Sequence, residues 1–121
     1  MANDKYINAV DGNLGSDRRD MVVRQISQLG RKVIPPGGSL FLYGSQARGD
    51  ANNDSDWDLL ILLDKSKVEQ SDFDNIAFPF INLGWDINEM ISAHTYTKGY
   101  WEKNHFLPFV KNVERDKIIL V

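Results

Sequence analysis

The chain has 121 residues with 17 acids, 14 bases and a net charge of -3, and 42% of it is hydrophobic, enough for one domain with a modest core. That balance lacks the basic footprint of a duplex-binding protein, and the absence of cysteine excludes disulfides and thiolate metal sites and fits a reducing cytosol. The start "MANDKYINAV" has no basic patch leading into an apolar core, and no apolar run reaches the roughly 18 residues of a membrane span, so a small cytoplasmic domain is expected.

Residues 1–15 are polar and contain "DGNLG", which predicts a loose arm, with a single domain over 16–121. Ser16 or Asp17 is placed to cap a helix, and Val22, Ile26, Leu29 and Val33 repeat at helical spacing behind it. "PPGG" at 35–38 ends that helix. "SLFLYG" and "WDLLILLD" read as two short buried strands separated by a polar loop. Ser71 and Asp74 have the spacing of a capping box, and Phe73, Ile76, Phe80 and Leu83 continue at helical intervals around Pro79. "EMISAHTYT" predicts a third strand, "KGYWEKN" a helical turn, "FLPFVKNVERD" a helix opened by Pro108, and "KIILV" a fourth strand. Alternating strands and helices point to a layered α+β domain built on a mixed sheet of about four strands. His94 and His105 are expected to be structural, and Trp57, Trp85 and Trp101 to pack the core.

The chemistry is concentrated in "LYGSQARGDANNDSDWDLLILL", residues 42–63. Side chains two apart on a strand share a face, so Asp56 and Asp58 project together at the head of a hydrophobic strand. Two such carboxylates repel each other unless a cation sits between them, and Mg²⁺ suits an open oxygen site of this kind. Taken alone, an Asp-x-Asp is more often a solvated strand end. Upstream, Gly44 lets the backbone approach a ligand closely, and the amides and hydroxyl at Ser45 can hold a phosphate. Arg48 offers a charged fork, either to phosphate or to the loop itself. A phosphate cradle and a metal pair then face each other across one cleft.

These residues resemble the signature of the nucleotidyltransferase superfamily related to DNA polymerase beta: Gly-Ser, two residues, Arg-Gly, a spacer, then Ser-Asp-x-Asp-Leu. Gly44, Ser45, Arg48, Gly49, Ser55, Asp56, Asp58 and Leu59 fill every place. The short chain resembles the minimal stand-alone domains of bacteria and archaea, and the tail "YTKGYWEKNHFLPFVKNVERDKIIL" resembles one bacterial subgroup of them. The resemblance implies a mixed sheet with helices mainly on one side. It also implies transfer of a nucleoside monophosphate from a nucleoside triphosphate, with ATP the expected donor. Asp56 and Asp58 would hold Mg²⁺, and Gly44, Ser45, Arg48 and Ser55 would bind the nucleotide phosphates. A second Mg²⁺ about 3.5–4 Å from the first would activate the acceptor hydroxyl. Small domains of this kind pair with a helical HEPN partner in toxin–antitoxin arrangements, which implies a protein acceptor; a homodimer is the other assembly expected.

Two departures from the pattern stand out. The full mechanism implied by the resemblance needs a third acid on the neighbouring strand, and anchoring the resemblance on "YTKGYWEK" puts Met90 and Ser92 where that acid is expected. Glu89 fills the role only if a bulge turns it to the pair's face, and Asp86 is the other candidate. Gln46 stands where related motifs often carry Arg. The expected function is therefore a Mg²⁺-dependent nucleotidyltransferase with Asp56, Asp58 and Glu89 as catalytic acids. The alternative is a nucleotide-binding or protein-interaction module of the same fold with weakened turnover.

Overall fold

A computed structural model describes residues 14–121, with side chains from residue 17; the arm expected over 1–15 lies almost wholly outside the described residues. Helix α1 (Leu14–Val33) begins ahead of Ser16 and Asp17, so neither is its cap. Its Val22 and Ile26 are fully buried, as the apolar stripe requires. After the Pro-Gly turn come strand β1 (Ser39–Tyr43), the single-turn helix α2 (Ser45–Arg48) and strand β2 (Trp57–Leu63).

The next helical stretch starts at α3 (Gln70–Asp72), two residues earlier than the Ser71 box. Its capping box is Glu69 with Asp72: the Glu69 N–H donates to the Asp72 carboxylate at 2.8 Å, and Lys65 bonds both acids. The Lys65 ammonium decides the choice, because only the earlier box gains this charged partner. A π-helical turn (Phe73–Ala77) then leads into α4 (Phe78–Ile87), where Pro79 sits in the first turn and needs no N–H partner. Strand β3 (Ile91–Thr97), helices α5 (Lys98–Lys103) and α6 (Pro108–Asp116), and the two-residue β4 (Ile118–Ile119) complete the chain. β3 starts two residues later than expected because α4 ends on Asn88 in the left-handed region, φ 59°, and the Glu89 N–H still bonds Gly84 O.

The sheet order is β3-β2-β1-β4, with β2 and β3 parallel and the other pairs antiparallel. This is the mixed four-stranded α+β sheet anticipated above. Alternation along β2 sends Trp57, Leu59, Ile61 and Leu63 to a core under α1 and α4. Leu60 and Leu62 pack on the opposite face with Phe41, Trp101, Val110 and Val113, under the shorter α5 and α6. Trp57 and Trp101 are buried as expected, but Trp85 is 63% exposed on the outer side of α4. Among the described residues, no helix is long and apolar enough to cross a membrane.

Candidate active site

Asp58 lies one residue into β2, directly opposite Tyr43 on β1 and Ser92 on β3, on the face carrying Leu60 and Leu62. Asp56 precedes the strand and is exposed. The Asp58 carboxyl is pushed above the usual aspartate range, first by burial and then by the charge of Asp56; His94 and Arg48 pull it back. Tyr43 beside it is pushed up to about 12, by burial and then by Asp58. The acid pair is therefore a site of concentrated negative charge, partly shielded from water.

The turn at the end of β1 is built against this pair. Gly44 has φ 75° and ψ -159°, a conformation open essentially to glycine alone. A Cβ there would sit 2.5 Å from Asp58 Oδ2. Two constraints thus select glycine at one position, and both bring the turn backbone against the carboxylate. The carbonyl of Gly44 accepts from the Ala47 and Arg48 amides, at 3.0 Å each, so the Ser45 and Gln46 amides precede the first helical bond of α2.

Arg48 is committed to the protein: its guanidinium bonds Asp50 at 3.2 Å and Asp116, at the end of α6, at 3.1 Å. Of the two roles open to it in the sequence, this arrangement is loop support. Ser55 is also used locally. Its hydroxyl accepts the Asn52 N–H at 2.9 Å, while Asn52 Oδ1 accepts the Asp54 N–H at 2.8 Å, closing the turn that delivers Asp56. Gln46 is buried, with its carbonyl bonded by Arg19 of α1 at 2.8 Å. These last contacts join residues far apart in sequence, which is why motif spacing alone missed them. Tyr43 and His94, whose rings lie 6.4 Å apart, were likewise overlooked as neighbours of the pair; the register of β2 with both its partners is the signal that finds them.

Glu89 does not join the aspartates. One carboxylate oxygen accepts the Trp57 indole N–H at 3.0 Å, and the other accepts Arg18 Nε at 2.9 Å. Trp57 points to the face opposite Asp58, so no bulge has re-aimed Glu89, and its bonds hold it on the core side. Asp86 is equally remote, lining a groove between α4 and α1. Among the described residues, no three His, Cys, Asp or Glu side chains gather into a group that could hold a metal. The place of a third acid is taken by Ser92, facing Asp58 across the ladder, and by Met90, which is exposed.

Comparison with known proteins agrees with this architecture. In structure the chain resembles a toxin–antitoxin crystallised with AMP-PNP, at TM-score 0.56 and 17% identity, covering 82% of this chain and 72% of that one. It also resembles a candidate nucleotidyltransferase from Sulfolobus solfataricus, at TM-score 0.50 and 16% identity, covering 85% and 82%. At these identities the likeness is one of fold. No curated protein matches the chain in sequence. The sequence profile of the nucleotidyltransferase domain does match, over residues 21–120, a span that includes β1, the glycine turn, the aspartate pair and all that follows to β4, and the chain belongs to that family.

Proposed function

We propose that this domain transfers a nucleoside monophosphate from a nucleoside triphosphate to a hydroxyl group, in a Mg²⁺-dependent reaction centred on Asp56 and Asp58. The observation that carries the reading is the contact between the Gly44 turn and the Asp58 carboxylate, which makes a phosphate-binding backbone and a cation-binding pair into one site. The residues fit a divalent cation: both donors are hard oxygens, and the repulsion that pushes Asp58 up is what a shared cation relieves. When bound, Mg²⁺ would supply charge neutralisation at the transferred phosphorus.

The chain's own residues account for the rest. Amides at Ser45 and Gln46, with the Ser45 hydroxyl, hold the terminal phosphates and orient the triphosphate. Arg48 and Ser55 keep the two ends of the loop closed around it. The acceptor oxygen attacks the α-phosphorus, forming one O–P bond as the bond to the leaving oxygen breaks, and pyrophosphate departs with that electron pair. With serine at position 92, no carboxylate on β3 stands opposite Asp58 to take the acceptor proton.

ATP is the donor in this reading, the acceptor is a protein of the helical HEPN type, and the compartment is the cytoplasm. The family match supports a nucleotide donor, and the AMP-PNP-bound toxin–antitoxin that shares the fold supports ATP and a protein partner. One observation favours a second reading, a nucleotide-binding module with weak turnover: Glu89 is tied to Arg18 and Trp57 and leaves the pair without a third acid. Incubation with α-labelled ATP, Mg²⁺ and a lysate separates the two. Label on a protein that disappears with Asp58→Asn supports transfer. Nucleotide binding without any labelled product supports the second reading.

A further inference from the structure

β3 is an edge strand, and its outer side is a row of backbone donors and acceptors without a backbone partner among the described residues. The Trp57 N–H bonds Met90 O at 2.8 Å, and Trp57 is in register with Ile91. In a parallel ladder this directs the peptide groups of Ser92, His94 and Tyr96 towards β2 and those of Ala93 and Thr95 outwards. Exposed edges are normally blunted by shortness, charge, proline or a bulge. The opposite edge, β4, is two residues long and follows Lys117. β3 runs seven residues, "ISAHTYT", with no acidic residue, lysine, arginine or proline.

An aromatic stripe flanks this edge. Phe73, Phe78 and Trp85 are 43%, 38% and 63% exposed, and their rings touch in series at 6.2 and 5.8 Å. Phe73 and Val68 line a groove with Ala93, His94, Thr95 and Tyr96, so the stripe begins beside the strand's C-terminal half. The hydroxyl of Thr95, on the core side, is buried with no hydrogen-bond partner. Edge and stripe form one surface.

We propose that two copies of this chain associate through this surface, pairing β3 antiparallel with its two-fold mate about His94. The spacing is self-complementary. A two-fold axis normal to the sheet at His94 sets Ala93 against the partner's Thr95, and these are the outward-directed residues, so each pair exchanges two hydrogen bonds. The same axis keeps both α4 helices on one side of a continuous eight-stranded sheet and brings the aromatic stripes together. Aromatic side chains bury roughly 150–250 Å² each when fully covered, so the three at these exposures offer roughly 300 Å². A standard interface takes about 800 Å² per partner, so the stripe covers part of it, and the strand edge adds to it together with the exposed Val68 and Met90. The strand carries no aspartate, glutamate, lysine or arginine to repel its copy. This gives the homodimer expected from the sequence a defined edge, and it rests on neither nucleotide nor metal binding.

Sedimentation velocity without nucleotide tests it. At tens of micromolar the wild type sediments as a dimer. Ala93→Pro deletes only an outward N–H, which edge strands tolerate, and weakens dimerisation by at least about tenfold. His94→Lys and His94→Glu each place like charges opposite one another and weaken the dimer, and mixing the two variants restores it. The mixture decides the matter should Ala93→Pro fail to fold. A monomeric wild type, or a mixture no tighter than its components, overturns the proposal. So does amide exchange at Ala93 and Thr95 that stays slow on dilution to monomer, because the edge would then be covered from within the chain.

Discussion

Gly44 shows how far one residue can join backbone to chemistry. Its φ of 75° and its place 2.5 Å from Asp58 Oδ2, measured from the Cβ it lacks, both exclude a side chain. Gly44→Ala should cost about 1–3 kcal/mol from the backbone alone and displace the Asp58 carboxylate; thermal unfolding and loss of Mn²⁺ binding together check it. Asp58 itself carries a pH signature. Its folded pKa is raised, so the fold favours the protonated acid; the penalty is absent below the unfolded value of about 3.9, grows as pH rises from there to the folded value, and is constant above it. Asp58→Asn should therefore raise the Tm of the metal-free protein at neutral pH and leave it unchanged near about pH 3. A fall in Tm at neutral pH would contradict this. For Ser45→Ala, titration should find ATP and GTP weakened by the same factor, on the order of 1–2 kcal/mol, since the hydroxyl meets phosphate rather than base.

At the level of elements, β3 separates what periodicity reveals from what it hides. Its existence and type follow from its pattern along the chain, and the place of Met90 and Ser92 from the resemblance of the "YTKGYWEK" segment that follows it. What alternation cannot supply is the partner of Glu89, because Trp57 and Arg18 lie 32 and 71 residues away in sequence. Trp85 was misplaced for a similar reason: aromatic residues at helical spacing mark a helix face, yet tertiary packing decides which face is covered. The start of α3 moved because Lys65, outside the helix, chooses between two capping boxes. These placements predict a pair of opposite outcomes. Glu89→Gln should lower stability by about 1 kcal/mol, through its bond from Arg18, and leave any turnover intact. Ser92→Asp should raise turnover, because it puts a carboxylate opposite Asp58. Loss of turnover in Glu89→Gln with stability unchanged would reverse the assignment.

Across the whole molecule, the motif loop is held from both sides of the sheet. Arg19 of α1 bonds the Gln46 carbonyl, and Asp116 of α6 bonds Arg48, so helices on opposite faces converge on the short turn between β1 and β2. The motif residues were legible in the sequence because they are contiguous; their supports were not, because they come from both ends of the chain. If Arg48 is a support, Arg48→Ala and Asp116→Asn should weaken nucleotide by similar factors, whereas a phosphate contact would make Arg48→Ala far the worse of the two.

The central claim is that the Gly44 turn and the Asp56–Asp58 pair are a single site for a metal-bound triphosphate. Calorimetric titration of ATP in the presence and absence of Mn²⁺, into wild type and Asp58→Asn, tests it most directly. The account predicts that Mn²⁺ tightens ATP binding to the wild type and that Asp58→Asn abolishes this gain while its fold, followed by circular dichroism, is retained. The same Mn²⁺ dependence in both proteins would contradict it.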